Sequence, residues 1–178
     1  LPWMSGPPSR LLLATDLSAR CDRALDRAAQ LAIEWQAGFV AVNVREAPQD
    51  PDQLLRWACG KDDANGVQVA RRQLQRDLTG FGINADLHVA IGDVDVSIRS
   101  VTAKTGCGLV VTGMARNEVF GRFLVGSTVQ NLARGLSVPL LVVRNRARSA
   151  YQRIIVATDF SDSSRHALQA AMRYFPGR

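Results

Sequence analysis

Apolar runs and amphipathic stretches alternate along the first 144 residues of the chain. Runs of consecutive or alternating apolar residues predict strands. These runs lie near residues 10–16, 38–44, 84–90, 108–113 and 139–144. The stretches between them repeat apolar residues at the spacing of a helix face. This order predicts an α/β domain, a five-stranded parallel sheet flanked by helices.

Residues that start or stop elements refine this interpretation. Ser18 is expected to cap the first helix, and Gly38 is expected to end it. We expect a helix over 67–78, further helices from Val94 and Ser127, and loops over 46–66 and 114–125. The 46–66 segment is expected to include a short helical piece.

The beginning of the chain recurs near its end. Residues 10–28 and 153–171 align without gaps at a constant offset of 143 residues, and both contain the sequence Ala-Thr-Asp followed one residue later by Ser. Such a repeat at domain spacing indicates a second copy of the same unit. The predicted division is a tail or expression remnant over 1–9, a domain over 10–144, a linker over 145–152, and the first strand and helix of a truncated second copy over 153–178.

The charge of the chain adds little to the prediction of its partners. Its formal net charge is +6, but the cations are almost all arginines spread over every predicted helix. One cluster lies in and beside the predicted linker and contains Arg144, Arg146, Arg148 and Arg153. It is either a solvated linker or a contact for an acidic partner or for phosphates. A nucleic-acid partner is not expected.

Neither composition nor spacing predicts a metal site or an exported protein. Cys21, Cys59 and Cys107 lack metal-ligand spacing and are expected to be reduced, packed thiols. His88 and His166 have no sequence partner for catalysis. The apolar runs are shorter than the roughly 20 residues that a membrane-spanning helix needs, and LPWMSGPPSR at residues 1–10 lacks the basic-then-apolar pattern expected of a secretion signal. We therefore expect a cytoplasmic protein with no membrane contact.

The candidate ligand-binding residues lie where strands are expected to end. Ligands of parallel sheets bind at the carboxyl ends of the strands, which here are Thr15-Asp16, Val44 and the loop after Gly113. Glycine at a strand end permits close approach of a ligand, and the helix that follows Gly126 would offer free N–H groups to a phosphate. The alternative is that Gly113 only turns the chain and Ser127 only caps a helix.

These residues resemble the universal stress protein family. Its ATP-binding members carry Gly-x2-Gly-x9-Gly-(Ser/Thr), and this chain has TGMARNEVFGRFLVGST over 112–128, with Arg116 in place of the second glycine. The first-strand sequence ATDLS, Val42-Asn43-Val44 and the closing SVPLLVV are also typical of the family. The resemblance covers 10–144 and resumes from 153. It implies the Rossmann-like fold of the adenine nucleotide alpha hydrolase-like proteins.

The resemblance also implies a ligand and roles for single residues. Asp16, beside Thr15, would accept hydrogen bonds from the ribose, and the main chain of Val44 would contact adenine. The complete implied nucleotide-binding set is Ala14, Thr15, Asp16, Val44, Gly113, Met114, Arg116, Gly126, Ser127 and Thr128. The implied ligand is ATP, with AMP, ADP and an accompanying Mg²⁺ left open. Arg116 either fills the phosphate pocket or reinforces phosphate binding.

Three functions therefore compete. The first is a cytosolic stress-response protein that binds ATP as a sensor or signalling module, without catalytic residues. The second is a nucleotide-free dimerising module whose pocket Arg116 closes. The third is a slow ATPase, for which Glu118 is the only nearby carboxylate. We also expect a homodimer through the last strand, with the second copy ordered only by packing on a neighbouring copy.

Overall fold

The computed structural model describes residues 6–19, 21–45, 63–114, 118–119, 122–123 and 127–178. Helices and strands alternate along this part of the chain. In chain order the elements are β1 (Arg10–Ala14), α1 (Asp22–Trp35), β2 (Gly38–Arg45), α2 (Asp63–Thr79), β3 (Ala85–Ile91), α3 (Val94–Thr105), β4 (Leu109–Gly113), β5 (Glu118–Val119), β6 (Arg122–Phe123), α4 (Ser127–Gly135), β7 (Leu140–Val143) and α5 (Asp162–Tyr174).

Five of the strands form one sheet in the order β3-β2-β1-β4-β7. All four pairings are parallel, so the predicted five-stranded parallel sheet is confirmed. The chain moves from β1 outward to β2 and β3 and then crosses to β4 on the other side of β1. The carboxyl ends of β1 and β4 therefore flank the point at which the winding direction reverses, which is where such sheets bind ligands.

The central strand β1 supplies both layers of the core. Leu11 and Leu13 pack on the face covered by α1 and α2, whereas Leu12 packs on the face covered by α3 and α4. All three leucines are almost completely buried. Each contributes about 1.5–3 kcal/mol relative to an exposed side chain. This burial holds the end of β1 rigidly between its neighbours.

Helix α1 differs from the sequence prediction at both ends. Ser18 does not cap it, because the chain makes a tight turn in which Cys21 N–H donates to Ser18 O at 2.8 Å, and Cys21 is the N-cap. At the other end Gln36, rather than Gly38, adopts the left-handed conformation, with φ 52°. Gln36 N–H donates to Ile33 O at 3.3 Å, which closes the helix, and β2 begins at Gly38.

The predicted loops are described only in part. Most of the 46–66 segment lies outside the described residues, but α2 already begins at Asp63. Within the predicted 114–125 loop, Glu118–Val119 pairs with Arg122–Phe123 as a short antiparallel ladder. The long loop predicted over 114–125 therefore contains two short strands of two residues each.

The recurring segment near the end of the chain, which we call the second repeat, forms the helix predicted for it but not the strand. Residues 151–159 belong to no strand, because the segment has no described neighbour with which to pair, and Ile155 is 95% exposed. Helix α5 forms, with Ser161 as its N-cap. Its carboxyl end packs on the first domain: the Tyr174 hydroxyl donates to Gly108 O at 2.7 Å, and the rings of Tyr174 and Trp35 lie 5.8 Å apart.

Candidate functional site

A cavity of about 440 Å³ opens at the carboxyl edge of the sheet, at the reversal point between β1 and β4. Its walls come from the ends of β1, β2 and β4 and from the first turns of α3 and α4. The lining residues are Ala14, Thr15, Asp16, Cys21, Val42, Val44, Val94, Ile98, Thr112, Gly113, Met114, Thr128 and Val129. The structure therefore brings together seven of the residues that the sequence singled out.

A tight turn after β1 presents Asp16 at the mouth of the cavity. Leu17 N–H donates to Thr15 Oγ1 at 3.0 Å, and Ser18 N–H donates to Asp16 Oδ1 at 2.9 Å. These side-chain bonds replace backbone pairing and hold Leu17 at φ 60°. Asp16 itself is exposed. Its carboxylate is thus fixed in place by the turn and accessible to a ligand.

The same turn forms in the second repeat without a sheet around it. Phe160 N–H donates to Thr158 Oγ1 at 3.0 Å, Ser161 N–H donates to Asp159 Oδ1 at 3.0 Å, and Phe160 has φ 61°. The hydrogen bonds from Ser161 lower the pKa of Asp159 to about 2. The turn is therefore encoded locally by Thr-Asp-x-Ser, and its conformation alone does not establish a ligand site.

Asn43 joins this turn to β2. Its side chain is buried, and Nδ2 donates to the Thr15 carbonyl at 2.9 Å. Thr15 N–H in turn donates to Val42 O at 3.0 Å. A buried amide in an otherwise apolar strand requires such a partner. In the sequence Asn43 is recognisable only as part of the family pattern, and its role in positioning the Thr15–Asp16 turn is visible only in the structure.

The backbone of Val44 faces the cavity beyond the end of β1. Alternate residues of a strand direct their N–H and C=O groups to the same side. Val42 O points toward β1, where Thr15 N–H meets it, and Val44 lies two residues further on. Since β1 ends at Ala14, the Val44 groups point to the space past its end. A planar ring with donors and acceptors on its edge could pair there.

The opposite wall contains the end of β4 and the start of α4. Gly113 is buried, Thr128 is half-buried, and Ser127 is exposed at the first residue of α4 without lining the cavity. The first N–H groups of α4 give this wall the positive end of a helix dipole. Arg116 and Gly126 lie outside the described residues, so their positions remain sequence predictions.

Cys21 is a lining residue whose place sequence analysis missed. We expected it to pack on an apolar helix face, but it lines the cavity beside Thr15 and Asp16. Burial raises the pKa of its thiol, and the nearby Asp16 carboxylate also raises it. The thiol therefore stays protonated near neutral pH and acts as a small apolar wall. A cysteine directly after a strand-end turn was the signal available in the sequence.

The described residues do not meet the requirements for a metal site or for a membrane-spanning helix. No three His, Cys, Asp or Glu side chains in this part of the chain cluster so as to hold a metal ion. Across the same ranges, no helix combines the length and the apolar character needed to cross a membrane. His88 lies beside Asp86 on β3, at 3.2 Å, away from the cavity lining.

Comparison with known protein families shows to which family the chain belongs. The universal stress protein family model matches residues 8–144, which are most of the chain. The chain belongs to the universal stress protein family. No curated protein sequence matches it. The resemblance inferred from the Gly113 and Thr15-Asp16 motifs is therefore confirmed at the level of the family.

Solved structures of this family share the fold at low sequence identity. The universal stress protein UspA from Lactobacillus plantarum is 21% identical, with a TM-score of 0.60 over 76% of this chain and 98% of its own. A universal stress protein in complex with cAMP is 20% identical, with a TM-score of 0.57 over 77% and 98%. One from Archaeoglobus fulgidus in complex with dAMP is 17% identical, with a TM-score of 0.50 over 75% and 96%. These likenesses establish the adenine nucleotide alpha hydrolase-like fold.

Proposed function

We propose that this chain is a cytoplasmic stress-response module that binds an adenine nucleotide, ATP first, in the cavity at the carboxyl edge of the sheet. The observation that supports this most is that Asp16, Val44, Gly113 and the start of α4 at Thr128 all line one cavity of about 440 Å³. That volume lies within the range of ligand pockets, about 300–1,000 Å³. Two structural neighbours are complexes with cAMP and dAMP, which supports the same class of ligand.

Each part of the nucleotide has a complementary group in this proposal. Adenine lies against the apolar part of the cavity lining, which includes Val42 and Ile98, and pairs with the Val44 main chain, while the ribose hydroxyls donate to Asp16. The phosphates lie against Gly113 and the N-terminal turn of α4, where Thr128 adds a hydroxyl donor. Mg²⁺ would accompany the phosphate chain, as is usual for this ion. The role is binding rather than a dedicated catalytic reaction.

Arg116 decides between this function and a nucleotide-free dimerising module. In the first case its guanidinium binds the phosphates, and in the second it occupies their place. The variant Arg116→Gly restores the family's glycine and separates the two. Weaker ATP binding in this variant would make Arg116 a ligand, and tighter binding would make it an obstruction.

Identification of the bound nucleotide tests the proposal. The purified protein is denatured with acid, and the supernatant is analysed by ion-pair chromatography. We expect adenine nucleotide in the supernatant, or, if the preparation is empty, saturable binding of ATP by calorimetry. The double variant Asp16→Ala, Gly126→Val should bind weakly and serves as the control. Absence of both retained nucleotide and saturable binding would favour the nucleotide-free module.

The second repeat and the last strand suggest how copies assemble. Strand β7 is an edge strand, and α5 leaves Leu168 and Met172 partly exposed. We propose that β7 pairs copies as a homodimer and that the exposed side chains of the repeat pack on a neighbouring copy. Light scattering at micromolar concentration tests this, and a monomer mass there would contradict it.

A further inference from the structure

A second cavity, which we call the arginine cleft, lies between α1 and the segment 145–152. Its volume is about 800 Å³, and it shares no lining residue with the cavity at the sheet edge. Four arginines line it, namely Arg23, Arg27, Arg146 and Arg148. No carboxylate is among the described lining residues, and the Asp26 carboxylate lies 3.5 Å from Arg146 Nε at the rim. The cleft is therefore strongly positive.

Arg27 is the unusual member of this set, because its side chain is only 7% exposed. Its Nη1 donates to Ser149 O at 2.9 Å and to Gln30 Oε1 at 2.7 Å, and its guanidinium lies 4.0 Å from the centre of the Tyr151 ring. Its Nε has no hydrogen-bond partner in the described part of the chain, and Arg27 takes part in none of the ion pairs found there. Buried charges are normally paired, so this cation lacks its counterpart.

The repeat shows that the helix itself does not require this charge. At the same offset of 143 residues, Ala170 occupies the position of Arg27 and His166 that of Arg23. Packing of the repeated helix is therefore compatible with a small apolar residue at the position of Arg27. Arg23 and Arg27 line the cleft, and neither arginine recurs in the repeated helix.

We propose that the arginine cleft binds a small polyanion with two or more phosphate groups. The forked guanidinium donors match phosphate oxygens, and the anion would supply the missing partner of Arg27. A nucleic-acid strand fits less well, because such strands need open aromatic faces for stacking, and Arg27 covers one face of Tyr151. Because Arg27 also holds Ser149 and Tyr151, the bound anion fixes the linker against α1.

Calorimetric titration with inorganic tripolyphosphate tests this proposal. We expect saturable binding to one site, weakened about tenfold, equivalent to about 1.4 kcal/mol, by Arg148→Ala and by Arg23→Ala, since each variant removes guanidinium donors to the anion. The matched control is Arg72→Ala, which removes an exposed arginine on α2 and should leave the affinity within twofold. Arg27→Ala, which copies Ala170 of the repeat, should abolish binding, with its fold checked by circular dichroism.

The position of the bound anion separates this cleft from the proposed nucleotide site. In amide NMR spectra, tripolyphosphate should shift Ser149, Tyr151 and Arg27 signals at lower concentration than those of Gly113 and Thr128. Shifts confined to Gly113 and Thr128, equal losses in the Arg72 control, or no saturation at millimolar probe would overturn the proposal. Tighter binding of a single-stranded oligonucleotide than of tripolyphosphate would overturn it as well.

Discussion

Replacement of Asn43 by alanine should weaken the attachment of the Thr15–Asp16 turn to β2. The change removes the 2.9 Å hydrogen bond from Asn43 Nδ2 to the Thr15 carbonyl and leaves that acceptor half-buried without this donor. An unsatisfied buried group costs about 1–3 kcal/mol, and we expect a loss of unfolding free energy in that range. Because Asp16 follows Thr15 directly, ATP affinity should fall about tenfold, equivalent to about 1.4 kcal/mol.

Urea unfolding and calorimetric ATP titration measure the two effects on the same samples. The matched control is Tyr174→Phe, which removes another hydrogen bond from a buried side chain to a backbone carbonyl, from the Tyr174 hydroxyl to Gly108 O at 2.7 Å, outside the cavity lining. It should lose stability while keeping its ATP affinity. Unchanged stability in Asn43→Ala would refute the role of this amide. Equal affinity losses in both variants would show that destabilisation alone weakens binding.

Three further predictions address single groups of the site and the repeat. Bound ATP should slow alkylation of Cys21 in a variant whose other cysteines are serine, because the thiol lines the cavity. Mass spectrometry measures the alkylation rate, and an equal rate with and without ATP would contradict this prediction. Asp16→Asn keeps an oxygen that accepts the turn hydrogen bond, so stability should hold while ATP affinity falls about tenfold; equal affinity by calorimetry would remove Asp16 from the ligand set. The depressed pKa of Asp159, about 2, means that its hydrogen bonds favour the folded turn above about pH 4 and lose that effect as pH falls through 2. Ser161→Ala should raise the NMR titration midpoint toward 3.8, and an unmoved midpoint would assign the shift to another group.

The three central strands, β1, β2 and β4, were predictable because they are buried on both faces. A strand such as β1, with three consecutive leucines, has no polar alternation and fits only the interior of a parallel sheet. The strand order β3-β2-β1-β4-β7 was not predicted, because right-handed crossovers allow more than one order of parallel strands. Helix ends were less predictable, because Cys21 stands at the N-cap of α1 without a side-chain cap hydrogen bond and Gln36 ends the helix in a conformation usually taken by glycine.

The site was predictable where the motif is local and not where it depends on packing. The Thr15–Asp16 turn forms from its own side chains, and the repeat at Thr158–Asp159 shows that four residues suffice. In contrast, Asn43 and Cys21 acquire their roles only when β2 and α1 are placed against β1. The predicted strand of the second repeat does not form for a similar reason: an apolar run becomes a strand only beside a partner edge.

The central claim is that the cavity at the carboxyl edge of the sheet binds an adenine nucleotide. Titration of ATP into isotope-labelled, nucleotide-free protein, followed by amide NMR, tests it most directly. The account predicts saturable shifts that are largest at Thr15, Asp16, Val44, Gly113 and Thr128, with GTP much weaker than ATP. Saturable shifts centred on Arg27 and Ser149 alone, or no shifts at millimolar ATP, would contradict it.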